Sequence, residues 1–437
     1  MSQTLKAVRG TRDLLPPETA LWNHIEATAR AVFARYNFGE IRTPIFEDTG
    51  LFSRSVGEET DIVSKEMYTW EDRGRAQSEK TQSLTLRPEN TAGVVRAYIE
   101  HGLGESGLLQ KLYYIGPQFR RERPQKGRYR QFSQIGAEVI GPPSAGSESP
   151  LRDAEVLEML ATLLDELGIT GWTLELNSVG SSADRERYNR TLREALIPVV
   201  GQMCEDCRRR AVTNPLRVLD CKVPADQPII ETLPVIADSL DEASRAHFAA
   251  VTAALDAVGV PYTLNHRLVR GLDYYTRTTF EFTHGGLGAQ NALLGGGRYD
   301  GLSEAIGGPK APGIGFAMGL DRLVLTLQGQ IDPKSAPTQW AQVADAFIAP
   351  LGENLNPAAL VLARELRRTG LWIELGEGSF RLKKSFEAAD KTARRIVILG
   401  EDELQSGILT VKTFATGIQT KVPRAELAAF LSDPAGE

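Results

Sequence analysis

Apolar residues recur every three or four positions in some segments of the chain and alternate with polar residues in others. Leu21, Ile25 and Phe33 follow helical spacing and predict a helix over 17–36. Similar patterns in the next hundred residues predict a helix over 86–101 and strands over 40–46, 111–118 and 130–140. Pro44 cannot donate a ladder hydrogen bond, so we expect its strand at a sheet edge or an interface.

The middle of the chain changes character between about residues 181 and 258. This segment is dense in charge, has mainly helical patterns and contains all three cysteines. Its neighbours are a predicted loop over 142–150, a helix over 153–167, strands over 173–176, 262–265 and 278–283, and a helix over 317–327. We therefore expect one domain over 1–328 with a helical insertion at about 181–258.

The last hundred residues predict a separate small domain. Residues 329–342 are polar and contain two prolines, a composition typical of a linker. Beyond them, strands over 346–349, 371–375 and 395–399 alternate with helices, and two further strands follow over 408–414 and 418–422. This alternation predicts an α/β domain over 343–437.

Composition and charge narrow the function classes. With 42% hydrophobic and 24% charged residues the chain resembles ordinary globular proteins, which excludes extended disorder. Fifty basic and 56 acidic residues give a net charge of −6, so nucleic-acid binding must depend on local patches. The chain lacks a signal-peptide pattern, an apolar run of about 18 residues and a disulfide framework. We expect a cytoplasmic protein that is not bound to a membrane.

One segment, 119–130 (FRRERPQKGRYR), carries six basic residues and a single acid, Glu122. Arginine presents a planar fork of donors that suits phosphate oxygens. Aromatic residues on both flanks, including Phe132, favour a surface on which a base stacks. The segment therefore indicates a polyanion site, although a solvated basic hairpin is the plain alternative.

Four further motifs suggest a pocket, and each also has a structural explanation, which for the Arg322 motif is an exposed helical arginine. Arg270, in LVRGLDYYTRTTF (268–280), either faces an anionic ligand or forms a structural ion pair. Arg322 follows a glycine turn in PGIGFAMGLDRL, and the glycines of GGGRYDGL (295–302) allow close approach of the backbone or simply a tight turn. Glu89, in LTLRPENT, either points into a pocket or complements a helix dipole.

The three cysteines, Cys204, Cys207 and Cys221, form a C-x-x-C pair and one later thiol. Tetrahedral zinc needs four ligands, and no fourth ligand stands at a convincing spacing. The residues considered for that position are Asp206, Asp220 and His247. We therefore expect buried thiols and predict no metal site.

Eight segments occur in one order along the chain: VRGTRD (8–13), IRTPIFE (41–47), VGEETDIVSKEMY (56–68), TLRPENTA (85–92), YYIGPQFRRERPQKGRYRQF (113–132), NPLRVLDCK (214–222), LVRGLDYY (268–275) and GGGRYDGL (295–302). This order resembles the histidyl-tRNA synthetase family from residue 8 to about 430. LVRGLDYY and GGGRYDGL match the two histidine-specific signatures of that family. The Pro44, Arg120 and Arg322 segments resemble the three general motifs of class II synthetases.

The resemblance implies an α+β fold, with the antiparallel sheet of class II synthetases, flanking helices, a helical insertion and a C-terminal α/β anticodon-binding domain. It implies activation of L-histidine with ATP and Mg²⁺ to histidyl-adenylate, followed by transfer of histidine to the 3′ end of tRNA(His). It also implies a homodimer.

The resemblance carries roles to individual residues. Arg120 and Arg270 would be catalytic, and the ATP site would comprise Arg120, Glu122, Phe132 and Arg322. The histidine pocket would comprise Glu89, Thr91, Gln134, Glu138, Tyr274, Tyr275 and Tyr299. Arg123 and Gln125 would meet the acceptor end of the tRNA.

Two other functions are compatible with parts of this pattern. One is a non-catalytic paralogue that serves as the regulatory subunit of ATP phosphoribosyltransferase in histidine biosynthesis. That paralogue lacks the anticodon-binding domain and loses motif residues, whereas residues 343–431 and the motif arginines are present here. The other is a class II synthetase for a different amino acid, which the two histidine-type signatures disfavour.

Overall fold

A computed structural model describes residues 5–57, 60, 62–72, 81–123, 127–288, 291–330, 340 and 343–433. The chain divides into two compact units, Met1–Trp340 and Ala341–Glu437. None of the helices in the described ranges has the length and apolar character needed to cross a membrane.

The first unit is built on two sheets. Its strands are β1 (Gly39–Glu40), β2 (Phe46–Asp48), β3 (Tyr68–Asp72), β4 (Gln82–Leu86), β5 (Gln110–Phe119), β6 (Gln131–Ile140), β7 (Trp172–Ser178), β8 (Thr263–Leu264), β9 (Thr276–His284), β10 (Ala292–Arg298) and β11 (Gly313–Gly319). The large sheet has the order β1-β5-β6-β11-β10-β9-β7-β8, and the small one β2-β4-β3. The large sheet is antiparallel except where β1 joins β5 and β8 joins β7, which confirms the predicted mainly antiparallel fold.

Helices cover one face of the large sheet. The helices of this unit are α1 (Glu18–Arg35), α2 (Thr49–Val56), α3 (Thr91–Glu100), α4 (Pro150–Glu166), α5 (Ser182–Leu196), α6 (Glu205–Thr213), α7 (Gln227–Ile230), α8 (Glu242–Val258), α9 (Leu302–Ala305) and α10 (Leu320–Gln330). Apolar residues of α1, α4, α8 and α10 form one core with side chains from β6, β7, β9 and β11. In β6, Ile135, Ala137 and Val139 face this core, so the alternate residues face the other way.

The predicted elements differ from the observed ones in three places. The predicted strand over 40–46 is two short strands, β1 and β2, that end and begin on either side of Pro44. The helix predicted from residue 86 begins only at Thr91, and the helix predicted from residue 317 begins at Leu320. In the last case GIGFAMG is a buried strand, because a short run of small and apolar residues has no periodicity that separates strand from helix.

The segment predicted as an insertion contains a small core of its own. Tyr188, Leu192, Cys207, Val218 and Ile236 are buried together in it. Helix α8, predicted as part of the insertion, instead contributes to the core of the large sheet through its apolar face. The separate core therefore ends before α8 begins.

The second unit alternates strands and helices, as predicted. Its elements are β12 (Ala346–Pro350), α11 (Asn356–Arg368), β13 (Ile373–Leu375), α12 (Leu382–Thr392), β14 (Arg395–Leu399), α13 (Glu401–Ser406), β15 (Ile408–Thr413), β16 (Gln419–Pro423) and α14 (Leu427–Ser432). Strands β13, β12 and β14 are parallel, and β15 and β16 continue the sheet antiparallel.

Candidate active site

The face of the large sheet opposite the helices has a floor made largely of glycine. Gly315 on β11 pairs with Glu138 on β6, and Gly297 on β10 pairs with Gly315. A Cβ atom on Gly315 would lie 1.7 Å from the carboxylate oxygen Oε2 of Glu138. A Cβ on Gly136 would lie 2.3 Å from the hydroxyl of Tyr114. Side chains larger than hydrogen at these positions would displace the polar groups that lie across the sheet.

Glu138 is the central buried acid of this face. It is fully buried, and it accepts hydrogen bonds of 2.7 Å from the hydroxyls of Thr91 and Tyr299. Burial raises its pKa to about 8, and the nearby charge of Glu89 adds to the effect. A carboxyl group held only by neutral donors is well suited to receive a cationic or N–H-bearing ligand.

Glu89 lies just before α3 and is also buried. Its two carboxylate oxygens accept hydrogen bonds from the backbone N–H groups of Thr91 and Ala92, at 2.7 and 3.0 Å. Burial raises the pKa of this carboxyl as well. The side chain thus satisfies free donors at the helix start, and each oxygen keeps a lone pair for a further partner.

Aromatic side chains enclose the two acids. The Tyr274 ring lies 4.8 Å from the Tyr275 ring and 6.0 Å from that of Tyr299, measured between centroids. Burial raises the pKa of Tyr114, Tyr274 and Tyr299 well above the ordinary value, so their hydroxyls stay protonated donors. Among the described residues, the Tyr114 hydroxyl has no hydrogen-bond partner. A buried donor of this kind fits a pocket that a polar ligand completes.

A cavity of about 260 Å³ lies beside these groups and contains three arginines. Arg120 follows β5, Arg270 precedes β9, and Arg322 lies in the first turn of α10. The other predicted residues in the wall are Glu122, Phe132 and Gln134. Gln134 also shares its strand face with Glu138, because both are at even positions of β6. Its buried oxygen Oε1 has no partner among the described residues. Gln134 thus places the cavity on the same sheet face as the acidic pocket, the site formed by Glu89, Glu138 and the tyrosines around them.

Arg270 lies across the glycine strand β10. A Cβ on Gly295 would be 2.3 Å from its Nη1 atom, so the guanidinium needs glycine there. Arg270 forms an ion pair with Glu281, which stands opposite Gly295 on β9. A half-buried guanidinium with this acidic partner retains donors that can face the cavity.

Arg120 is oriented by its neighbours at the end of β5. Its Nε atom donates to the carbonyl oxygen of Pro88 at 2.9 Å, and its guanidinium lies 5.3 Å from the centre of the Phe132 ring. Glu122 accepts from Arg128 at 3.0 Å and lies 3.7 Å from Arg120. The remaining guanidinium donors of Arg120 can therefore meet an anion over the aromatic ring.

Arg322 and the N-terminal segment frame the far side of the cavity. Arg322 Nη1 donates to the carbonyl oxygen of Ala292 at 2.5 Å. Its neighbour Asp321 accepts from Arg12 at 3.0 Å, and the Arg12 guanidinium lies 4.7 Å from the centre of the Tyr129 ring. The VRGTRD segment thus packs against the helix that carries Arg322.

The structure brings together most, but not all, of the predicted site residues. Arg123 is exposed and does not line the cavity, and Gln125 lies outside the described residues. From the sequence, Tyr114 is expected only in the aromatic flank of the basic segment and Arg128 only among its six basic residues, and Glu281 has no expected role. Glu281 had a visible signal, since it is a charged residue between Phe280 and Phe282 in a strand.

Comparisons with known proteins give a consistent picture. The family model described as histidyl-tRNA synthetase matches residues 10–323, and the model described as anticodon binding domain matches residues 345–433. A histidine–tRNA ligase of Koribacter versatilis is 71% identical over 428 residues, covering 98% of this chain and 96% of that protein. One of Solibacter usitatus is 56% identical over 429 residues, covering 98% and 99%.

A solved structure extends the likeness to three dimensions. The crystal structure of apo S. aureus histidyl-tRNA synthetase matches with a TM-score of 0.80 and 37% identity, covering 98% of this chain and 100% of that one. The match of two family models in sequence order, the identity over nearly the full length and the shared fold point to one conclusion. The chain belongs to the histidyl-tRNA synthetase family.

Proposed function

We propose that the arginine-lined cavity binds ATP, that the acidic pocket beside it binds L-histidine, and that the chain joins them as histidyl-adenylate before charging tRNA(His). The observation that carries this proposal is the convergence of Arg120, Arg270 and Arg322, from three separate elements, on one cavity. The cavity adjoins a buried acid, Glu138, whose pKa is about 8.

The chemistry of adenylate formation suits this wall. The histidine carboxylate attacks the α-phosphorus of ATP, one P–O bond forms, and the bond to pyrophosphate breaks. The nucleophile is already ionised, so no general base is required. Positioning and stabilisation of charge on the phosphoryl oxygens then supply the rate enhancement. We assign this task to Arg120 and Arg270, and the γ-phosphate to Arg322.

The substrate ATP enters as its Mg²⁺ complex in this proposal. Mg²⁺ prefers oxygen ligands and bridges phosphate oxygens. In the cavity wall the carboxylate of Glu281 would fit this ion. Phe132 provides a ring for the adenine base, and Glu122 an acceptor for its amino group.

Histidine recognition would rest on hydrogen bonds rather than on shape alone. Glu138 and Glu89 would hold the ammonium and imidazole groups, and the residues around them would complete the pocket. Those residues are Thr91, Gln134, Tyr274, Tyr275 and Tyr299. A site of buried polar groups rejects amino acids that leave those groups unpaired, by factors of about 10⁴ or more.

Transfer to tRNA would involve both units. We propose that Arg123 and Gln125 meet the acceptor end of tRNA(His), and that the second unit contacts the anticodon. The match of residues 345–433 to an anticodon binding domain supports the second assignment. The family relationship also supports a cytoplasmic location.

A homodimer is part of the proposal. Exposed apolar side chains cluster around the small sheet: Ile45 is 45%, Phe46 53% and Trp70 40% exposed. The Phe46 and Trp70 rings meet edge to face at 6.1 Å. Such a patch is typical of a protein interface, and a two-fold axis would bring it onto its own copy.

The regulatory paralogue is not favoured. It lacks an anticodon-binding domain, whereas the second unit matches one over nearly its whole length. The motif arginines that such a paralogue loses are all present here.

The decisive experiment is pyrophosphate exchange with each of the twenty amino acids. Histidine alone should drive exchange. Arg270→Ala should lower the rate about 10²-fold or more, because it removes a charge contact to the transition state. Arg267→Ala is the matched control, since Arg267 lies three residues away and its nearest acid is Glu231 at 3.8 Å. Exchange driven by another amino acid, or a near-normal rate for Arg270→Ala, would contradict the proposal.

A further inference from the structure

The three cysteines lie together in the core of the helical insertion. Cys204 and Cys221 have their sulfur atoms 3.9 Å apart, and Cys207 is buried beside them. The fourth member of the cluster is Asp226, which is 1% exposed. One ligand atom of each residue lies within 4.8 Å of every other. Spacing along the chain did not identify Asp226, because a short 3₁₀ turn brings it back to the thiols.

We propose that these four residues bind a divalent thiophilic cation, Zn²⁺, as a structural site of the insertion. Zinc–sulfur distances of about 2.3 Å place the ligands of a tetrahedron about 3.8 Å apart. The Cys204–Cys221 separation of 3.9 Å agrees with that edge, and the Cys221 sulfur lies 3.3 Å from Asp226 Oδ2. Four protein ligands leave no open position, which is the pattern of a structural rather than a catalytic zinc.

The surroundings suit charged ligands. Backbone N–H groups of Cys207 and Val223 donate to the sulfurs of Cys204 and Cys221, each at 3.4 Å. The N–H of Cys204 donates to both oxygens of Asp226, at 3.1 and 3.2 Å. These donors orient the ligands and stabilise negative charge on them, as outer hydrogen bonds do around protein metals.

The buried carboxylate of Asp226 is the observation that most favours a bound cation. Within the described ranges, no basic side chain forms an ion pair with Asp226, and its partners are N–H and S–H groups. A buried carboxylate ordinarily has a positive partner, because isolation from water costs several kcal/mol. On binding, three thiols lose their protons to solvent, and Zn²⁺ then faces three thiolates and one carboxylate.

A disulfide does not explain the cluster. Bonded sulfurs lie about 2.05 Å apart, whereas Cys204 and Cys221 are at 3.9 Å. A bound metal would also stabilise this segment. Its separate core is small, with about a dozen buried apolar residues, and small cores commonly depend on metal ions or disulfides.

The proposed site anchors both ends of a segment that reaches the active-site loop. Between Cys207 and Cys221, Asn214 donates to Asp273 at 3.0 Å and Arg217 donates to the carbonyl oxygen of Arg270 at 3.3 Å. Zinc would therefore fix the position of the segment that donates hydrogen bonds to Asp273 and to the backbone of Arg270. This consequence for catalysis depends on the proposed function, whereas the metal site itself does not.

The test begins with the full-length, tag-free chain purified without chelators. Its metal content by plasma mass spectrometry should be one zinc per chain. Replacement of zinc by Co²⁺ should give the ligand-field bands and sulfur-to-cobalt charge-transfer absorption of a tetrahedral thiolate site. A folded chain with no bound metal and three reactive thiols would overturn the proposal, as would an intact mass two hydrogens lower after purification without reductant.

Variants assign the ligands. Asp226→Asn should weaken zinc retention against a chromogenic chelator by about 10-fold or more, since even the loss of an outer hydrogen-bond partner of a ligand typically costs about 10- to 100-fold in affinity. Asp206→Asn is the matched control, because Asp206 lies in the same segment but is exposed and paired with Arg209 at 2.9 Å. Equal retention by the two variants would overturn the assignment of Asp226. Zinc removal should also lower the thermal stability of the insertion, a readout that does not depend on which substrate the chain uses.

Discussion

Glu138 and Asp153 are both fully buried carboxyl groups. Their hydrogen-bond donors include two consecutive residues of the GGGRYDGL motif, Tyr299 and Arg298. Arg298 donates to Asp153 at 2.6 Å, and Tyr299 donates to Glu138 at 2.7 Å. Burial acts to raise the pKa of both acids. For Asp153 the charge of Arg298, with a hydrogen bond from His247, outweighs burial and lowers the pKa. For Glu138 only neutral donors are present, and the pKa rises to about 8.

The difference separates a structural acid from an acid that awaits a ligand. The charge of Asp153 is neutralised by Arg298 within the protein, and this ion pair links α4 to β10. The hydrogen bond from His247 adds α8 to the link. Glu138 has no such cationic partner among the described residues. A cationic ligand would neutralise its carboxylate and favour the ionised form. Burial alone therefore does not identify a functional carboxyl; the presence or absence of an internal cation does.

The largest expected effect concerns the structural pair. Arg298→Met leaves Asp153 buried without its cation and should lower the free energy of unfolding by about 3–5 kcal/mol. Chemical denaturation measures this loss. Glu138→Gln is the control at the other acid. Measured near pH 5, it should change stability by less than about 1 kcal/mol, because it keeps the shape of a carboxyl group that is protonated there. Similar losses in both variants would erase the distinction.

A second prediction concerns the ligand-facing acid. Glu138→Gln should raise KM for histidine by about 10- to 100-fold, because a hydrogen bond to a charged group contributes about 1.5–3 kcal/mol. KM for ATP should change little, since Glu138 does not line the arginine cavity. Steady-state pyrophosphate exchange with each substrate varied in turn separates the two. A selective rise in KM for ATP would contradict the assignment of Glu138 to histidine binding.

The third prediction is a pH dependence with opposite signs at the two acids. Glu138 binds a proton more tightly in the folded chain than in the unfolded chain, so its contribution to stability falls as pH rises from about 5 to 8. The slope is about 1.4 kcal/mol per pH unit for one proton. Unfolding free energies measured across this range should show a shallower dependence in Glu138→Gln.

The Asp153 pair behaves in the reverse sense. Its pKa is lowered on folding, so its contribution is complete above the ordinary aspartate range and is lost as pH falls through the folded pKa. The Glu138→Gln variant should therefore keep the acid-induced loss of stability seen in the parent chain. Identical pH profiles between 5 and 8 in the two chains would contradict the raised pKa of Glu138.

The smallest expected effect is at Glu89, which combines both kinds of role. Glu89→Gln keeps one oxygen that accepts from the start of α3, but its amide group turns a donor toward the second backbone N–H, and the charge beside the helix dipole is lost. Stability should therefore fall by about 1 kcal/mol. KM for histidine should rise more than KM for ATP. Equal rises in both constants would indicate that Glu89 acts only as a helix cap.

Local patterns predicted most helices and strands and the motifs that carry the arginines, whereas the fold class and the roles of those arginines followed from the family resemblance. Alternating strands, glycine turns and arginine-bearing motifs each occupy a short stretch of chain. Element boundaries were less predictable where short apolar runs fit either period, as in GIGFAMG. The family resemblance, confirmed by the comparisons, linked motifs that periodicity alone left separate.

Other parts of the site depend on contacts between distant strands. Tyr114 joins the acidic pocket only because β5 pairs with β6, and Glu281 joins the cavity only because β9 pairs with β10. Asp226 approaches the cysteines through a turn that no spacing rule describes. Cross-strand register of this kind has no signature in a single sequence.

The glycine floor also gives the active site a fixed scale of length. Arg270 rests over Gly295 on β10, and Glu138 projects from β6, two strands away in the same sheet. Neighbouring strands are spaced about 4.8 Å apart by backbone hydrogen bonds, and Gly295 is level with Gly136, two residues along β6 from Glu138. The two backbone positions are therefore separated by about 12 Å. This interval between backbone positions is set by strand spacing and register. The distance between these backbone positions therefore stays the same whichever rotamers the side chains of Arg270 and Glu138 adopt.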